Sequence, residues 1–394
     1  MGSIIPQETS LAAAPPRRRL FLVSVPRTAS NLLVRVLNIK NQPNVLTNPS
    51  SGYFFKEAYL TAASKGYHNV SESPDQSATD HPSDSSQLKS EIRDTYQRCL
   101  DTLEAASAQA SRENKVVFTK EHAFWFVNPA TMKGDDSSED NDGSRAREQD
   151  CFRLDFPQEI YGQAQTFSEN NKTLFPDEYL STWQFAFIIR HPALAWPSMY
   201  RAMQGMAKIG MLDEDGIKGS MVTNMTWRWS RKLFEWCDEK QASMGVAPPL
   251  ILDAYDVIHN PDVVLNFCEK TGLDKSVVQF EWGNDAGLSN YKPEPRAQPL
   301  PQESQNGHGD GDVSNNSDED EAREKELAAV NLMTSTLRAS KGVIKDKTPA
   351  VVDIDAEIEK WKEEFGPEGA ALIEKTVRDT MPDYEYLRER SLKV

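Results

Sequence analysis

Several features that identify common protein classes are missing from this chain. It has only four cysteines, Cys99, Cys151, Cys237 and Cys268, and they are too far apart to form a C-x-x-C pair or another metal-ligand spacing. We therefore expect reduced, partly buried thiols and no metal site. No apolar run approaches the about 20 residues that cross a bilayer, and the segment before Arg17 lacks the hydrophobic stretch of a secretion signal. The cytoplasm is the expected compartment, without a membrane partner.

Two further absences limit the ligands and partners. The phosphate loop of nucleoside triphosphatases, Gly-x-x-x-x-Gly-Lys-Ser/Thr, occurs nowhere in the 394 residues, which argues against an ordinary ATPase or kinase. Lys and Arg number 44 against 60 Asp and Glu, so the formal net charge is −16 at pH 7. Because nucleic acids bind to basic surfaces, this balance argues against a nucleic-acid partner.

Low-complexity segments separate the patterned parts of the chain. Residues 70–90 are rich in Ser, Asp and Pro, residues 133–147 in acidic residues, Ser and Gly, and residues 295–325 in Pro, Gln, Asn, Gly and Asp. Such compositions bury too little apolar surface to fold, so we predict three disordered insertions. The chain as a whole, residues 1–394, is predicted to form a single domain.

Short apolar runs alternate with helical periodicities along the rest of the chain. Apolar runs of strand length predict strands over residues 20–25, 115–119, 183–189 and 250–252. Continuous apolar character is typical of strands that are buried on both faces. We therefore predict an α/β fold with three layers, α/β/α, around a central, mostly parallel sheet.

Helices are clearest in the second half of the chain. Apolar residues recur every three or four positions from Met221 to Trp236, which predicts one long amphipathic helix with a core-facing stripe. Another helix is expected to begin at Pro261 and to end at Gly272. Two charged helices are predicted near residues 353–365 and 368–380.

A buried strand, a short polar loop and an amphipathic helix follow one another over residues 20–37. The loop is Pro26-Arg27-Thr28-Ala29-Ser30-Asn31. The first backbone N–H groups of a helix lack internal partners and lie at the positive end of its dipole, so a loop there can hold phosphate or sulfate. Arg27 adds a fixed cation, and its polar neighbours add short hydrogen-bond donors. A plain helix N-cap at Ser30 or Asn31 explains the pattern about equally well.

Two other predicted strands also end in cations. One ends at Arg190, with Ser198 on the helix that follows, and the other ends at Lys120 and His122. In open parallel sheets, ligands bind at the carboxyl ends of the strands, which is where these residues and Arg27 emerge. The planar fork of arginine suits phosphate, and histidine can accept a proton from a hydroxyl. A single histidine after a strand is nevertheless more often structural than catalytic.

In their order and internal spacing, these three units resemble the cytosolic sulfotransferases that use 3′-phosphoadenosine 5′-phosphosulfate (PAPS). The family's Pro-Lys/Arg-Ser-Gly-Thr loop is similar to residues 26–30, and its Lys-x-His strand end is similar to residues 120–122. Its Arg-x-Pro strand end, with a serine eight positions after the arginine, matches Arg190, Pro192 and Ser198. The resemblance extends from residue 20 to the end and implies a P-loop-like sulfotransferase fold.

The resemblance implies an enzyme that moves a sulfuryl group, without a metal, from PAPS to a hydroxyl or amine of a small molecule. His122 would accept the proton of the acceptor, and Arg27 and Lys120 would stabilise charge on the leaving phosphate. Two weaker matches are Tyr255, similar to a tyrosine near the adenine, and residues 338–342, similar to a C-terminal Arg-Lys-Gly loop. The implied donor-binding residues are Arg27, Thr28, Ala29, Ser30, Asn31, Arg190, Ser198, Tyr255, Arg338 and Lys341.

Departures from the family pattern mark a divergent, fungal-type member. Ala29 stands where the family usually has glycine, so the backbone approaches the anion less freely. Leu32 stands where animal members have a tryptophan that stacks on adenine. Arg27 in place of lysine is similar to the bacterial and Golgi branches of the family, and Ser340 replaces a basic residue of the C-terminal loop.

The acceptor pocket is less evident from the sequence. Residues 53–55 (Tyr-Phe-Phe) and 124–126 (Phe-Trp-Phe) follow the proposed active-site elements and either line an apolar slot or belong to the core. If they line a slot, a hydrophobic small molecule of secondary metabolism is the expected acceptor. Two alternatives remain open: a non-catalytic or catalytically altered protein of the same fold that binds a nucleotide or small molecule, and a nucleotide-dependent transferase or lyase that reuses the anion site.

Overall fold

A parallel sheet organises the part of the chain that the computed structural model describes, which is residues 18–49, 52–67, 82–132, 143–283 and 316–393. The strands of this sheet are β1 (Arg19–Ser24), β2 (Val45–Thr47), β3 (Val116–His122), β4 (Gln184–Ile189) and β5 (Leu250–Asp253).

The five strands lie in the order β2-β3-β1-β4-β5, and all four pairings are parallel. The central strand β1 therefore lies between β3 and β4. Its last residue, Ser24, is in register with His122 at the end of β3. Because the chain continues to one side of β1 before it crosses to the other, the loops after β1 and β4 diverge and leave a crevice at the carboxyl edge of the sheet.

Helices cover both faces of the sheet. In the described residues they are α1 (Ser30–Val36), α2 (Lys56–Ser64), α3 (Pro82–Arg112), α4 (Pro129–Met132), α5 (Ser144–Asp150), α6 (Gln158–Tyr161), α7 (Asp177–Leu180), α8 (Pro192–Lys208), α9 (Glu214–Asn224), α10 (Arg228–Met244), α11 (Ala254–His259), α12 (Pro261–Thr271), α13 (Asn316–Ala339) and α14 (Ile354–Glu389). Short 3₁₀ turns lie at Ile39–Asn41, Ala123–Trp125 and Lys275–Val277.

Alternate residues of β1 belong to two separate cores. Phe21 and Val23 pack into a large core with α8, α10 and α14, whereas Leu20 and Leu22 pack into a smaller core with α1 and α12. Strand β1 is therefore buried on both faces, as its continuous apolar run requires. The predicted three-layer α/β/α architecture is confirmed.

Three of the four cysteines are buried, and Cys151 is exposed.

The long helix predicted from residue 221 to residue 236 is wrong, because the structure contains α9 and α10 instead. Met225 leaves helical geometry, and the Thr226 hydroxyl accepts the backbone N–H of Arg228 at 3.1 Å at the start of α10. The apolar period runs across this break because both helices turn their apolar sides to the same core. The predicted C-terminal pair is confirmed as α14, which is kinked at Gly366 (φ 75°).

The three segments predicted to be disordered are partly helical. Residues 82–90 lie in α3, residues 144–147 in α5 and residues 316–325 in α13, so the prediction is wrong there. In α3 the reason is an apolar anchor within the polar sequence, because Leu88 packs against the large core one turn before buried Ile92. The other residues of the three segments, except Gly143, lie outside the described residues.

Helix α13 crosses close to α8, and Gly205 permits the approach. A Cβ at Gly205 would come within 2.5 Å of Leu332 Cδ2, so a side chain at this position would force the Leu332 side chain to move. The contact holds α13 over the loop that follows β1.

Within the described ranges, no helix combines the length and apolar character needed to cross a membrane.

Candidate active site

Polar side chains from three neighbouring strands meet at the carboxyl edge of the sheet. The loop after β1 carries Arg27, the end of β3 carries Lys120 and His122, and Arg190 directly follows β4. Ser198 lies in the second turn of α8. The parallel strand order thus brings together the three units predicted from the sequence.

The loop after β1 is tightly turned. Arg27 and Ala29 adopt left-handed backbone conformations, with φ of 69° and 67°, and the buried Thr28 hydroxyl donates to the Val25 carbonyl at 2.8 Å. This conformation costs a non-glycine residue about 1–2 kcal/mol, so Ala29 carries backbone strain that a glycine would avoid. Ala29 precedes the first residue of α1, Ser30, which is buried.

The two arginines are joined at the centre of the site. Arg27 Nε donates to Ser198 Oγ at 2.9 Å, and Arg190 Nη1 donates to the Arg27 carbonyl at 3.2 Å. A backbone carbonyl accepts from one further nitrogen of each arginine. Arg27 Nη1 donates to the Met333 carbonyl in α13 at 2.6 Å, and Arg190 Nη2 donates to the Lys347 carbonyl at 2.8 Å.

The charges of these arginines are not neutralised by an ion pair in the described residues. Burial and the nearby charge of Arg27 lower the pKa of Arg190 to about 10, although Asp253 opposes the shift. Burial and Arg201 lower the pKa of Arg27. Arg190 Nε is buried without a hydrogen-bond partner in the described chain. Two close cations and an unused N–H donor favour an anionic ligand.

Lys120 is a third cation of the site, and it is fully buried. Its ammonium donates to Asn31 Oδ1 and lies 4.2 Å from the centroid of the Tyr53 ring. Burial lowers the pKa of Lys120 to about 7, although Glu121 opposes the shift. At neutral pH the amine is therefore close to half charged, and a bound anion would favour its charged form.

His122 lies beside Lys120 among aromatic rings. Its ring centroid is 4.5 Å from that of Trp125 and 5.7 Å from that of Phe124, and Nδ1 is 3.0 Å from Ser24 Oγ. Burial and the charge of Lys120 hold the pKa of His122 well below its usual value, so the imidazole is neutral at pH 7. Among the described residues, Nε2 has no hydrogen-bond partner, which leaves it available to another molecule.

Glu121 fixes the segment that carries Tyr53. Its Oε1 atom accepts the backbone N–H of Phe54 at 2.5 Å and that of Phe55 at 3.3 Å. Burial raises the pKa of Glu121 to about 8, and these hydrogen bonds oppose the shift. The carboxyl group therefore ties residues 53–55 to β3, and Tyr53 is held against Lys120 and His122.

The two aromatic segments belong to the large core. Phe54, Phe55 and residues 124–126 are buried members of this core, and Tyr53 packs against it. Tyr53 also lies 5.6 Å from His122 between ring centroids, and Trp125 packs on this histidine as well. An apolar slot lined by these two rings stays a prediction.

A chain of contacts connects Tyr255 to Arg190. The Tyr255 ring stacks on His259 at 4.4 Å, and His259 Nε2 is 2.8 Å from the Thr348 carbonyl. The Thr348 hydroxyl accepts from Arg190 Nη2 at 3.4 Å. Tyr255 therefore lies on the Arg190 side of the site.

The structure does not connect the C-terminal basic residues to the arginine pair. Arg338 donates to Asn331 Oδ1 at 2.6 Å within α13, and the Lys341 carbonyl accepts the backbone N–H of Trp282 at 2.8 Å. Within the described residues, neither basic side chain makes a hydrogen bond to Arg27 or Arg190. Their function in donor binding stays a prediction.

Sequence reasoning missed several residues that contact the site. Met333 and Lys347 contribute backbone carbonyls, which leave no signal in the sequence. Thr348 lies in an irregular segment without a pattern. Ser24 could have been found, because it is the polar residue within the apolar run of residues 20–25. In the described residues, no group of His, Cys, Asp and Glu is arranged to hold a metal ion.

Comparison with known proteins gives consistent similarities over nearly the whole chain. No family model matches. The sulfotransferase ppzF of Metarhizium majus (strain ARSEF 297) is 30% identical over 387 residues, which cover 95% of this chain and 97% of the relative. The sulfotransferase ppzF of Metarhizium rileyi (strain RCEF 4871) is 29% identical over 394 residues, which cover 95% and 96% of the two chains.

Two solved structures are also similar, at low scores. One is the sulfotransferase domain from the Synechococcus PCC 7002 olefin synthase, with a TM-score of 0.33 and 13% identity, covering 89% of this chain and 94% of the domain. The other is the sulfotransferase domain from the curacin biosynthetic pathway, with a TM-score of 0.29 and 12% identity, covering 88% and 96%. At these scores, neither structure supports a conclusion about this chain.

Proposed function

The chain belongs to the sulfotransferase family, and we propose that it transfers a sulfuryl group from PAPS to a hydroxyl or amine of a small hydrophobic metabolite. The main observation in support of this proposal is that four side chains lie together at the ends of three adjacent strands: Arg27, Lys120, His122 and Arg190. Sulfuryl transfer requires anion-binding cations next to a proton acceptor, and these residues supply both.

The donor-binding groups of the site fit two separate phosphates. PAPS, when bound, would supply the sulfuryl group and a bisphosphate leaving group. Arg27, Lys120 and the backbone N–H groups at Ala29 and Ser30 would hold the 5′ side, where charge develops on the leaving oxygen. Arg190 and Ser198 would hold the 3′-phosphate, and the unused Arg190 Nε supports this assignment.

Proton transfer is assigned to His122. Its neutral imidazole can accept a proton at Nε2 from the acceptor hydroxyl while attack proceeds. Arg27 and Lys120 stay protonated when an anion is bound, because the anion favours their charged forms. Sulfuryl transfer resembles phosphoryl transfer in depending on in-line positioning and charge stabilisation, so these three side chains suffice without a metal.

The acceptor assignment rests on the rings around His122. Tyr53 and Trp125 pack on the imidazole, so a molecule that reaches Nε2 must pass apolar surface. A small hydrophobic metabolite fits such surroundings better than a sugar does.

Donor binding is the first measurement. We would titrate the protein with 3′,5′-adenosine bisphosphate by calorimetry and compare Arg190→Ala with Arg378→Ala, an exposed arginine of α14 that pairs with Glu374. Micromolar binding that Arg190→Ala abolishes and Arg378→Ala retains would support the donor site. No binding to the wild-type protein would refute it.

Turnover separates the enzyme from its main alternative. Ala29 and Leu32 favour a protein that binds the nucleotide without catalysis, because both depart from the family's donor site. We would incubate the protein with [³⁵S]PAPS and a panel of hydroxylated and aminated metabolites, with His122→Ala as the control. Labelled product that depends on His122 supports the sulfotransferase. Tight nucleotide binding without any product supports the alternative.

A further inference from the structure

We infer that Ser24 is a positioning residue for His122: its hydroxyl accepts the Nδ1–H of the imidazole and so directs the Nε2 lone pair towards the acceptor. This role deepens the proposed function and rests on its use of His122 as the base. It also explains why a serine follows the four apolar residues of β1, Leu20 to Val23.

The sheet register places the two side chains together. Ser24 and His122 are the last residues of β1 and β3 and are direct partners in the parallel pairing. Register partners on adjacent strands project from the same face of a sheet. Ser24 is fully buried, and its Oγ lies 3.0 Å from His122 Nδ1.

The single proton of the serine hydroxyl decides the direction of this hydrogen bond. Ser24 Oγ also lies 3.2 Å from the Glu121 carbonyl, which can only accept. If the hydroxyl donates to that carbonyl, an Oγ lone pair faces His122 and Nδ1 must donate. If the hydroxyl donated to Nδ1 instead, the Glu121 carbonyl oxygen and Ser24 Oγ would face each other with no proton between them. Only the first arrangement satisfies both contacts.

The protonation state of His122 completes the argument. Burial and the charge of Lys120 hold the pKa of His122 well below its usual value. Because the imidazole is neutral, one ring nitrogen carries the proton and the other the lone pair. With the proton on Nδ1, Nε2 is the basic atom.

The tautomer can be measured without turnover. In protein labelled with ¹⁵N-histidine, two-dimensional ¹H–¹⁵N spectra of the six histidines distinguish Nδ1–H from Nε2–H, and His122→Asn identifies the His122 signals. We expect the Nδ1–H form in the wild type and in Ser24→Thr, which keeps the hydroxyl. We expect a shift towards Nε2–H in Ser24→Ala. An Nε2–H wild type, or a Ser24→Ala protein that keeps Nδ1–H, would overturn the inference.

Kinetics tests the consequence for catalysis. Loss of a neutral hydrogen bond that holds the base should lower kcat of Ser24→Ala about tenfold, with KM for the donor unchanged and kcat recovered in Ser24→Thr. An unchanged kcat would refute the positioning role. If His122→Ala keeps full transfer activity while the tautomers behave as expected, the assignment of His122 as base is wrong and the Ser24 hydrogen bond stands. Poor folding of Ser24→Ala does not prevent the test, because the wild-type spectrum, assigned with His122→Asn, reports the tautomer without that variant.

Discussion

Binding of the anionic donor should draw a proton onto Lys120. This amine is fully buried, and its pKa is lowered to about 7. A phosphate or phosphosulfate beside it would restore the charged form and return the pKa towards its ordinary value. If binding requires that Lys120 be protonated, the affinity for the ligand falls as the pH rises above the pKa of Lys120 in the free protein, because each binding event must then take up a proton.

The magnitude follows from the pKa of about 7 in the free protein. Proton uptake should be about 0.5 per bound ligand at pH 7 and about 0.9 at pH 8, and affinity should fall about fivefold between these values. The second ionisation of a phosphate lies near pH 6, so ligand charging is nearly complete within this window. Arg190, with a pKa lowered to about 10, stays charged throughout.

Calorimetry measures the uptake directly. We would titrate 3′,5′-adenosine bisphosphate into the protein at pH 7 and pH 8, each in two buffers of different ionisation enthalpy. The difference in observed heat between the buffers gives the number of protons taken up. Lys120→Met should bind more weakly and show little uptake at either pH.

Glu121 provides the matched control. Its pKa, raised to about 8, lies in the same range, and its ionisation raises the pKa of Lys120. In Glu121→Gln the pKa of Lys120 in the free protein should be lower. Ligand binding should therefore still take up a proton, and the uptake should begin at a lower pH than in the wild type. A wild-type protein that takes up no proton at pH 8 would refute the reasoning, as would an uptake that Lys120→Met leaves unchanged.

Three other substitutions probe the loop, the arginine pair and the far edge of the sheet. Ala29→Gly should raise the free energy of unfolding by about 0.5–1 kcal/mol in urea titrations, because glycine relieves the left-handed strain but loses more chain entropy; a destabilised variant would contradict this. Ser198→Ala removes the oxygen that accepts from Arg27 Nε, and it should weaken bisphosphate binding about tenfold in calorimetry, whereas unchanged affinity would exclude a direct or indirect part for this hydroxyl. Arg19→Met leaves Glu104 without its buried partner at the opposite edge of the sheet, so we expect about 3–5 kcal/mol of destabilisation with unchanged nucleotide affinity below the unfolding transition. An affinity change there would show that the two edges are coupled.

The architecture was predictable where the signal was local. Continuous apolar runs located β1, β3, β4 and β5, and Pro261 and Gly272 marked the limits of α12. Strand β2 was missed because its three residues at the sheet edge are only half-buried and form no apolar run. The break between α9 and α10 was hidden, since the turn at Met225 and Thr226 interrupts the helical backbone without interrupting the apolar period.

The candidate site was predictable in its side chains and not in its backbone contacts. Arg27, Lys120, His122 and Arg190 follow strands, so strand order alone brings them together, while their chemical functions stay predictions. The carbonyls of residues 333 and 347 come from distant segments, and any residue type can supply a carbonyl. The tautomer of His122 depends on the register between two strands, which no single segment of sequence contains.

The two carbonyls that accept from Arg27 and Arg190 make ligand entry an exchange of partners. The hydrogen bonds that an anion forms with the arginines replace hydrogen bonds to these carbonyls. Only the difference in their energies contributes to binding, so much of the binding enthalpy cancels. Helix α13 therefore competes with the ligand inside the same molecule. Affinity can then be adjusted from a distance: a substitution that loosens the packing of α13 would weaken the hydrogen bond from Arg27 to Met333 and strengthen binding without touching the ligand.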